Sequence, residues 1–281
     1  MRYPWLSGIL MAGALIPGIS MPIVRITTFG SLASNLNRVL ATRALKDIPP
    51  LRVSRILGGV TSHHIPTAFP VLAKFYKTLK ATQSVDTFVI IGPDHFAKGK
   101  ADITISKATF AMPAGTVQPN LPMIKAIEKS GLAIHDESAF ADHSMHSQLL
   151  LINKLFPKAR VVPIIIRGSA RNDRAQKLGE LLGTLANNRT VVIASVDFSH
   201  YLPKAQALPI DQHSAVLMAQ GDTESAAKAE TDSPQSLVAY TAAVKKMGSN
   251  AVIPFGYYNS GDFSQQKDYT TGWVFQFSVI Q

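Results

Sequence analysis

Thr87-Phe88-Val89-Ile90-Ile91-Gly92-Pro93-Asp94-His95 carries the reading of the fold. Its first five residues hold no charge and stop at the Gly92-Pro93 turn. They are too few for a helix and apolar on both faces, the pattern of a strand covered on both sides of a sheet. The pattern recurs where residues 55–60 run into Thr61-Ser62-His63, and where residues 190–194 run into Ser195-Val196-Asp197-Phe198-Ser199-His200. Further strands are predicted over residues 160–166, 251–258 and 272–279, and helices over 68–80, 121–130, 148–156, 174–186, 214–219 and 234–247. This alternation predicts a single α/β domain with a largely parallel central sheet flanked by helices. Ligands of such sheets bind beyond the carboxyl ends of the strands, where His63, His95 and His200 fall.

The 281 residues are 46% apolar, enough for one sizeable core. The absence of cysteine excludes disulfides, thiolate metal sites, iron–sulfur clusters and cysteine nucleophiles. Of the formal charge of +10, +6 lies in the first 55 residues, where seven basic side chains face Asp47 alone. A basic segment beside a membrane explains that asymmetry better than a nucleic-acid groove, and no aromatic–basic interleaving accompanies it, so no nucleic-acid partner is expected.

Residues 3–24 carry no charge, and a helix rising about 1.5 Å per residue over that length just crosses a bilayer. With Arg2 ahead of it, the Pro17-Gly18 break and small residues at Gly18 and Ser20, residues 1–24 are expected to be a signal peptide or membrane anchor. The protein would then be membrane-associated or exported through this segment. Residues 25–50 are expected to form a basic helical linker closed by Pro49-Pro50, and residues 51–281 the α/β domain.

Imidazole is the commonest protein ligand for first-row transition metals, so three histidines at matching strand ends predict a metal-centred pocket. Asp94 and Asp197 are near enough in sequence to orient a ring or to ligate. His143 and His146 are three apart ahead of a helix, placed either to reach the pocket or to flank an N-cap at Asp142 or Ser144. No GxSxG serine elbow and no glycine-rich phosphate loop is present.

Taken in order, Thr61-Ser62-His63-His64, Ile91-Gly92-Pro93-Asp94-His95, Asp142-His143-Ser144, Val162-Pro163-Ile164 and Ser195-Val196-Asp197-Phe198-Ser199-His200-Tyr201 resemble the Memo family. That family includes AmmeMemoRadiSam system protein B and is similar in fold to class III extradiol dioxygenases; the resemblance spans about residues 56–279. It implies His63 and His95 as metal ligands and His200 as the catalytic histidine; in such an enzyme His200 would act as acid/base with Asp197 orienting it, and His143 would line the pocket if it does not merely flank the N-cap. Ser62 stands where the family has proline, which makes His64 a rival to His63. His146 and Gln148 replace the family's acidic residue and second histidine. The family's frequent third ligand, a cysteine, falls in Glu230-Thr231-Asp232-Ser233-Pro234. There Asp232 would restore two histidines and a carboxylate, unless it merely caps the next helix; Glu230 is the lesser candidate. The implied cofactor is a divalent metal, Fe(II) first and copper or zinc otherwise. The implied function is a mononuclear metal site in a dioxygenase-like enzyme with a small-molecule substrate. The alternative is a non-catalytic metal- or ligand-binding protein acting with a radical-SAM partner.

Overall fold

A computed structural model describes residues 22–25 and 29–281. Its strands are β1 (Ile23–Arg25), β2 (Arg55–Thr61), β3 (Thr87–Pro93), β4 (Ile103–Ile105), β5 (Thr109–Met112), β6 (Gly115–Pro119), β7 (Ile134–His135), β8 (Arg160–Ile166), β9 (Thr190–Ser195), β10 (His200–Leu202), β11 (Ala251–Asn259) and β12 (Thr270–Ile280). Its helices are α1 (Phe29–Leu40), α2 (Phe69–Thr82), α3 (Leu121–Lys129), α4 (His143–Leu155), α5 (Asn172–Leu185), α6 (Lys204–Ala219), α7 (Thr223–Lys228) and α8 (Pro234–Lys246).

At the centre of the sheet β8, β3, β9 and β2 run parallel, with Ile91 opposite Ile164 and Val60 opposite Ala194. Parallel strands need crossovers: α2 links β2 to β3, which lie on either side of β9, and α5 links β8 to β9, which lie on either side of β3. Parallel pairing continues from β8 to β6, and antiparallel pairs appear beside it. β12 pairs antiparallel with β2, β11 and β10, and β4 pairs antiparallel with β8, so the sheet is mixed at its flanks. The short link between β11 and β12 leaves no room for a parallel crossover.

Phe88, Val89, Ile90 and Ile91 are all fully buried. Burying each such side chain contributes about 1.5–3 kcal/mol, more than the roughly 1 kcal/mol span of strand propensity, so burial on both faces decides where this segment lies. On one face Phe75 of α2 stacks on Phe277 at 4.1 Å; a Cβ on Gly59 would sit 2.3 Å from the Phe75 ring. On the other face α5 and α8 touch so closely that a Cβ on Gly179 would fall 2.2 Å from the Ala239 carbonyl oxygen.

Several expected boundaries move. Residues 1–21, most of the expected signal peptide or anchor, lie outside the described residues. Ile23 and Val24, expected outside the fold, pair in parallel with β5. The expected linker contains α1, but Leu36 is buried against the core and Leu32 and Val39 pack beside it, so this helix is part of the domain. The helix expected from residue 148 starts at His143, because Asp142 caps it, and α6 begins ten residues early and runs through Pro209. Among the described residues no helix is long and apolar enough to cross a membrane.

Candidate metal centre

β2 ends at Thr61, β3 at Pro93 and β9 at Ser195. Two residues beyond each end stand His63, His95 and Asp197. Since Thr61 pairs with Ser195 across neighbouring parallel strands, these positions share one edge of the sheet. The fourth participant, Asp232, arrives from the segment ahead of α8. Ser233 caps that helix by accepting the Ser236 amide, which frees the Asp232 carboxylate. Asp232 N–H donates to the Asp197 carbonyl at 3.0 Å, and Asp197 N–H donates back to the Asp232 carboxylate at 3.2 Å.

Asp232 Oδ2 lies 3.3 Å from His63 Nε2 and 3.4 Å from His95 Nε2. Bonds of about 2.0–2.2 Å to one ion put neighbouring donor atoms about 3–3.6 Å apart, the spacing that Asp232 Oδ2 keeps from each of the two imidazole nitrogens. The far side of each ring is held as a ligand requires. His63 Nδ1 donates to the Ser195 carbonyl at 3.1 Å, and His95 Nδ1 to Asp142 Oδ1 at 2.9 Å, leaving both Nε2 atoms turned toward Asp232. Asp142 does two jobs: its fully buried carboxylate also accepts the His95 and Ser144 amides. A buried carboxylate loses several kcal/mol of solvation, and these partners offset it.

Burial alone would lower His63, but the Asp197 and Asp232 carboxylates outweigh it and raise it to about 9. At His95 burial is likewise overcome by Asp142 and Asp232, and the imidazole rises to about 10. Burial would raise Asp232, yet the two imidazoles hold it well below the usual carboxylate range. A carboxylate facing two imidazoles that bind protons this tightly is a place where a divalent cation replaces two protons. His143 completes the open side. Its half-exposed ring stacks on His95 with centroids 4.3 Å apart and meets His63 edge-on at 5.1 Å. Partial burial and then the two neighbouring imidazoles lower its basicity, which keeps it neutral.

Two groups among the described residues have donor atoms close enough to share an ion, His63–His95–His143 and His63–Asp197–Asp232. His200 belongs to neither. Residues 196–199 turn back after β9: Val196 N–H bonds the Thr61 carbonyl, Phe198 N–H the Gly272 carbonyl, and Ser199 N–H and Oγ–H the buried Asp211 carboxylate. Any Cβ at position 272 would fall 1.8 Å from Asp211 Oδ2, so glycine is required there. The turn delivers His200 to β10, opposite Thr271.

Asp197, expected beside His200, accepts Ser62 Oγ–H at 2.6 Å and the His63 amide, and lies 3.6 Å from His63 Nε2. Asp94 does not orient His95; it accepts the Lys98 and Gly99 amides and faces Arg167. His64 packs on Trp273 with its amide on Ser62 Oγ, so His63 is the ring in the cluster. His146 meets the Phe140 carbonyl instead, and Glu230 stands in neither donor group. Gln148 joins the loops, donating to the Ser62 carbonyl and Ser195 Oγ while accepting from Tyr76. Counting two residues past each strand end would have placed Asp197 in advance; no local signal marks Asp211.

A family profile described as Memo-like protein matches residues 44–273. A MEMO1 family protein of Methanopyrus kandleri is 34% identical over 166 residues, 56% of this chain and 58% of that protein. One from Methanosarcina mazei is 28% identical over 234 residues, 80% of this chain and 86% of that protein. In fold, the chain resembles the crystal structure of an uncharacterized protein from Escherichia coli K12, with a TM-score of 0.52 and 13% identity over 79% of this chain and 99% of that one.

Proposed function

The chain belongs to the Memo-like family, and from that premise we propose that His63, His95 and Asp232, drawn from two overlapping donor groups that share His63, hold one divalent metal ion, Fe(II) ahead of copper or zinc, in a dioxygenase-like enzyme acting on a small molecule. The observation that carries this reading is the position of Asp232 Oδ2, 3.3 and 3.4 Å from two imidazole nitrogens whose opposite edges are already bonded. Bound there, the ion would supply Lewis acidity toward an oxygen-bearing substrate and a redox centre for dioxygen.

The chain's own residues supply the rest. Ser195 and Asp142 fix the ring orientations, and Asp197 holds the His63 backbone through its amide. His143, half exposed on the open side, stands where a ring nitrogen can meet a substrate hydroxyl. His200 acts as acid/base on a part of the substrate that reaches β10.

Anaerobically purified protein reconstituted with Fe(II) is expected to retain one ion per chain by elemental analysis, and the His63→Ala/His95→Ala variant none. Failure of the unaltered chain to retain stoichiometric metal would sink the proposal. The position of His200 outside the donor cluster favours a second reading, a non-catalytic metal- or ligand-binding protein working with a radical-SAM partner. Stoichiometric iron with no dioxygen uptake on any catechol tested would select it. Export or anchoring through the uncharged N-terminal stretch belongs to the same proposal, supported by its length and by Arg2 ahead of it.

A further inference from the structure

We propose that the outer face of α1 and α2 docks the folded domain on an anionic lipid bilayer, an inference that rests on the anchoring reading of the N-terminal stretch for its choice of a membrane. Charge is divided unevenly along the chain. Residues 29–84 hold eight basic side chains and one acid, Asp47, whereas residues 85–281 hold 18 basic and 17 acidic ones. A surface of one sign attracts a surface of the other, and basic groups held beside an anionic leaflet each add to the attraction.

The fold gathers these side chains. On α2, Phe69, Leu72, Phe75, Tyr76 and Leu79 are buried, which leaves Lys74, Lys77 and Lys80, spaced three apart, as an outward stripe about 9 Å long. Lys77 Nζ donates to the Leu45 carbonyl, which sets the exposed Arg43 and Lys46 beside that stripe. Leu51 N–H donates to Thr82 Oγ1 at 2.9 Å and so brings the exposed Arg52 to the end of α2, past Lys80. Nothing acidic neutralises the face. Among the described residues, every lysine or arginine paired with a carboxylate lies between Lys107 and Lys228.

Two further observations favour lipid over other polyanions. Residues 3–24 carry no charge and match the thickness of a bilayer. Arg25 at the end of β1 and Phe29 at the start of α1 are four residues apart, so at most about 14 Å separates them. A stretch inserted in a bilayer and ending at Val24 would hold α1 beside the lipid surface. Nucleic acid is the weaker occupant, because base stacking needs exposed aromatic rings among the cations. Among the described residues the exposed aromatic side chains are Phe96, Tyr201, Phe263 and Tyr269, all outside this segment.

The test mixes the full chain with vesicles of phosphatidylcholine, alone or in equal mixture with phosphatidylglycerol, pulses with acetic anhydride and reads the acetylation of each lysine by mass spectrometry. Lys46, Lys74 and Lys80 are expected to react about fivefold or more slowly on the mixed vesicles only, and about 1 M salt should remove the difference. Lys125 and Lys129 of α3, on the opposite side of the sheet, should keep their rates. Lys74→Glu/Lys80→Glu should abolish the protection of Lys46, whereas Lys125→Glu/Lys129→Glu, with the same net charge, should retain it. Binding to the neutral vesicles reports the N-terminal stretch alone, so failure of anchoring and failure of docking are distinguishable. Equal rates on the two vesicles, protection that extends to α3, loss in both charge-reversed variants, or stronger protection by single-stranded RNA than by the mixed vesicles would overturn the proposal.

Discussion

The loops leaving β2 and β9 start from paired residues, Thr61 and Ser195, yet they deliver different chemistry. The first places His63 in the donor cluster two residues on. The second places Asp197 there and carries His200 away to an antiparallel strand at the flank. The difference lies in what holds each loop. Residues 62–64 are tied inward by Asp197 and Gln148, whereas residues 196–199 are tied by Asp211 and by Gly272 of β12. An imidazole a few residues past a strand therefore joins the donor cluster here only where the loop's own hydrogen bonds turn it toward the sheet edge.

The sharpest way to break this comparison is to exchange the histidines' fates. His95→Ala is expected to weaken Fe(II) binding by at least about 100-fold, and His200→Ala by less than about threefold, measured by anaerobic titration. Equal losses would place His200 in the cluster after all. Next comes Asp142→Asn, expected to weaken metal binding about 10–100-fold while α4 stays folded, because asparagine still caps a helix but accepts the His95 proton poorly. Unchanged affinity would reduce Asp142 to a cap.

The proton balance gives a third test. The folded, metal-free protein holds His63 and His95 protonated up to about 9 and 10, against 6.5 when unfolded. Their contribution to stability is fully present below pH 6.5 and is lost as pH rises through 9 to 10. Metal binding must expel these protons, so affinity rises with pH and uptake near pH 7 releases up to two protons per ion, measurable by calorimetry in buffers of different ionisation heat. The smallest effect concerns His146, which burial lowers to about 4 despite the Phe140 carbonyl. Its folded value lies below its unfolded one, so stability is lost as pH falls from 6.5 toward 4. His146→Gln should remove at most about 1.4 kcal/mol per pH unit of that slope in urea titrations.

Much of this was legible in residues alone. The uncharged runs at 87–91 and 190–194 fixed the central strands, because strands buried on both faces admit no charge. The flanks were harder. β4, β7 and β10 are two or three residues long and exist through partners distant in sequence, so no local period announces them. At the site, resemblance and spacing name His63, His95 and Asp232, and the Asp232 carboxylate lies within 3.4 Å of a nitrogen of each ring. Asp142 read as a helix cap and is also the partner of His95, because one carboxylate has oxygens for both.

By itself the sequence determined an α/β domain with a sheet covered on both faces, the absence of thiolate chemistry, and strand-end loops rich in imidazole and carboxylate. Only the tertiary structure decided which of those side chains meet. That choice rests on contacts between residues far apart in the chain, such as Asp197 with Ser62 across 135 positions and Asp211 against Gly272. Hydrogen-bond direction and close approach, which no run of residues encodes locally, turned Asp197 inward and His200 out.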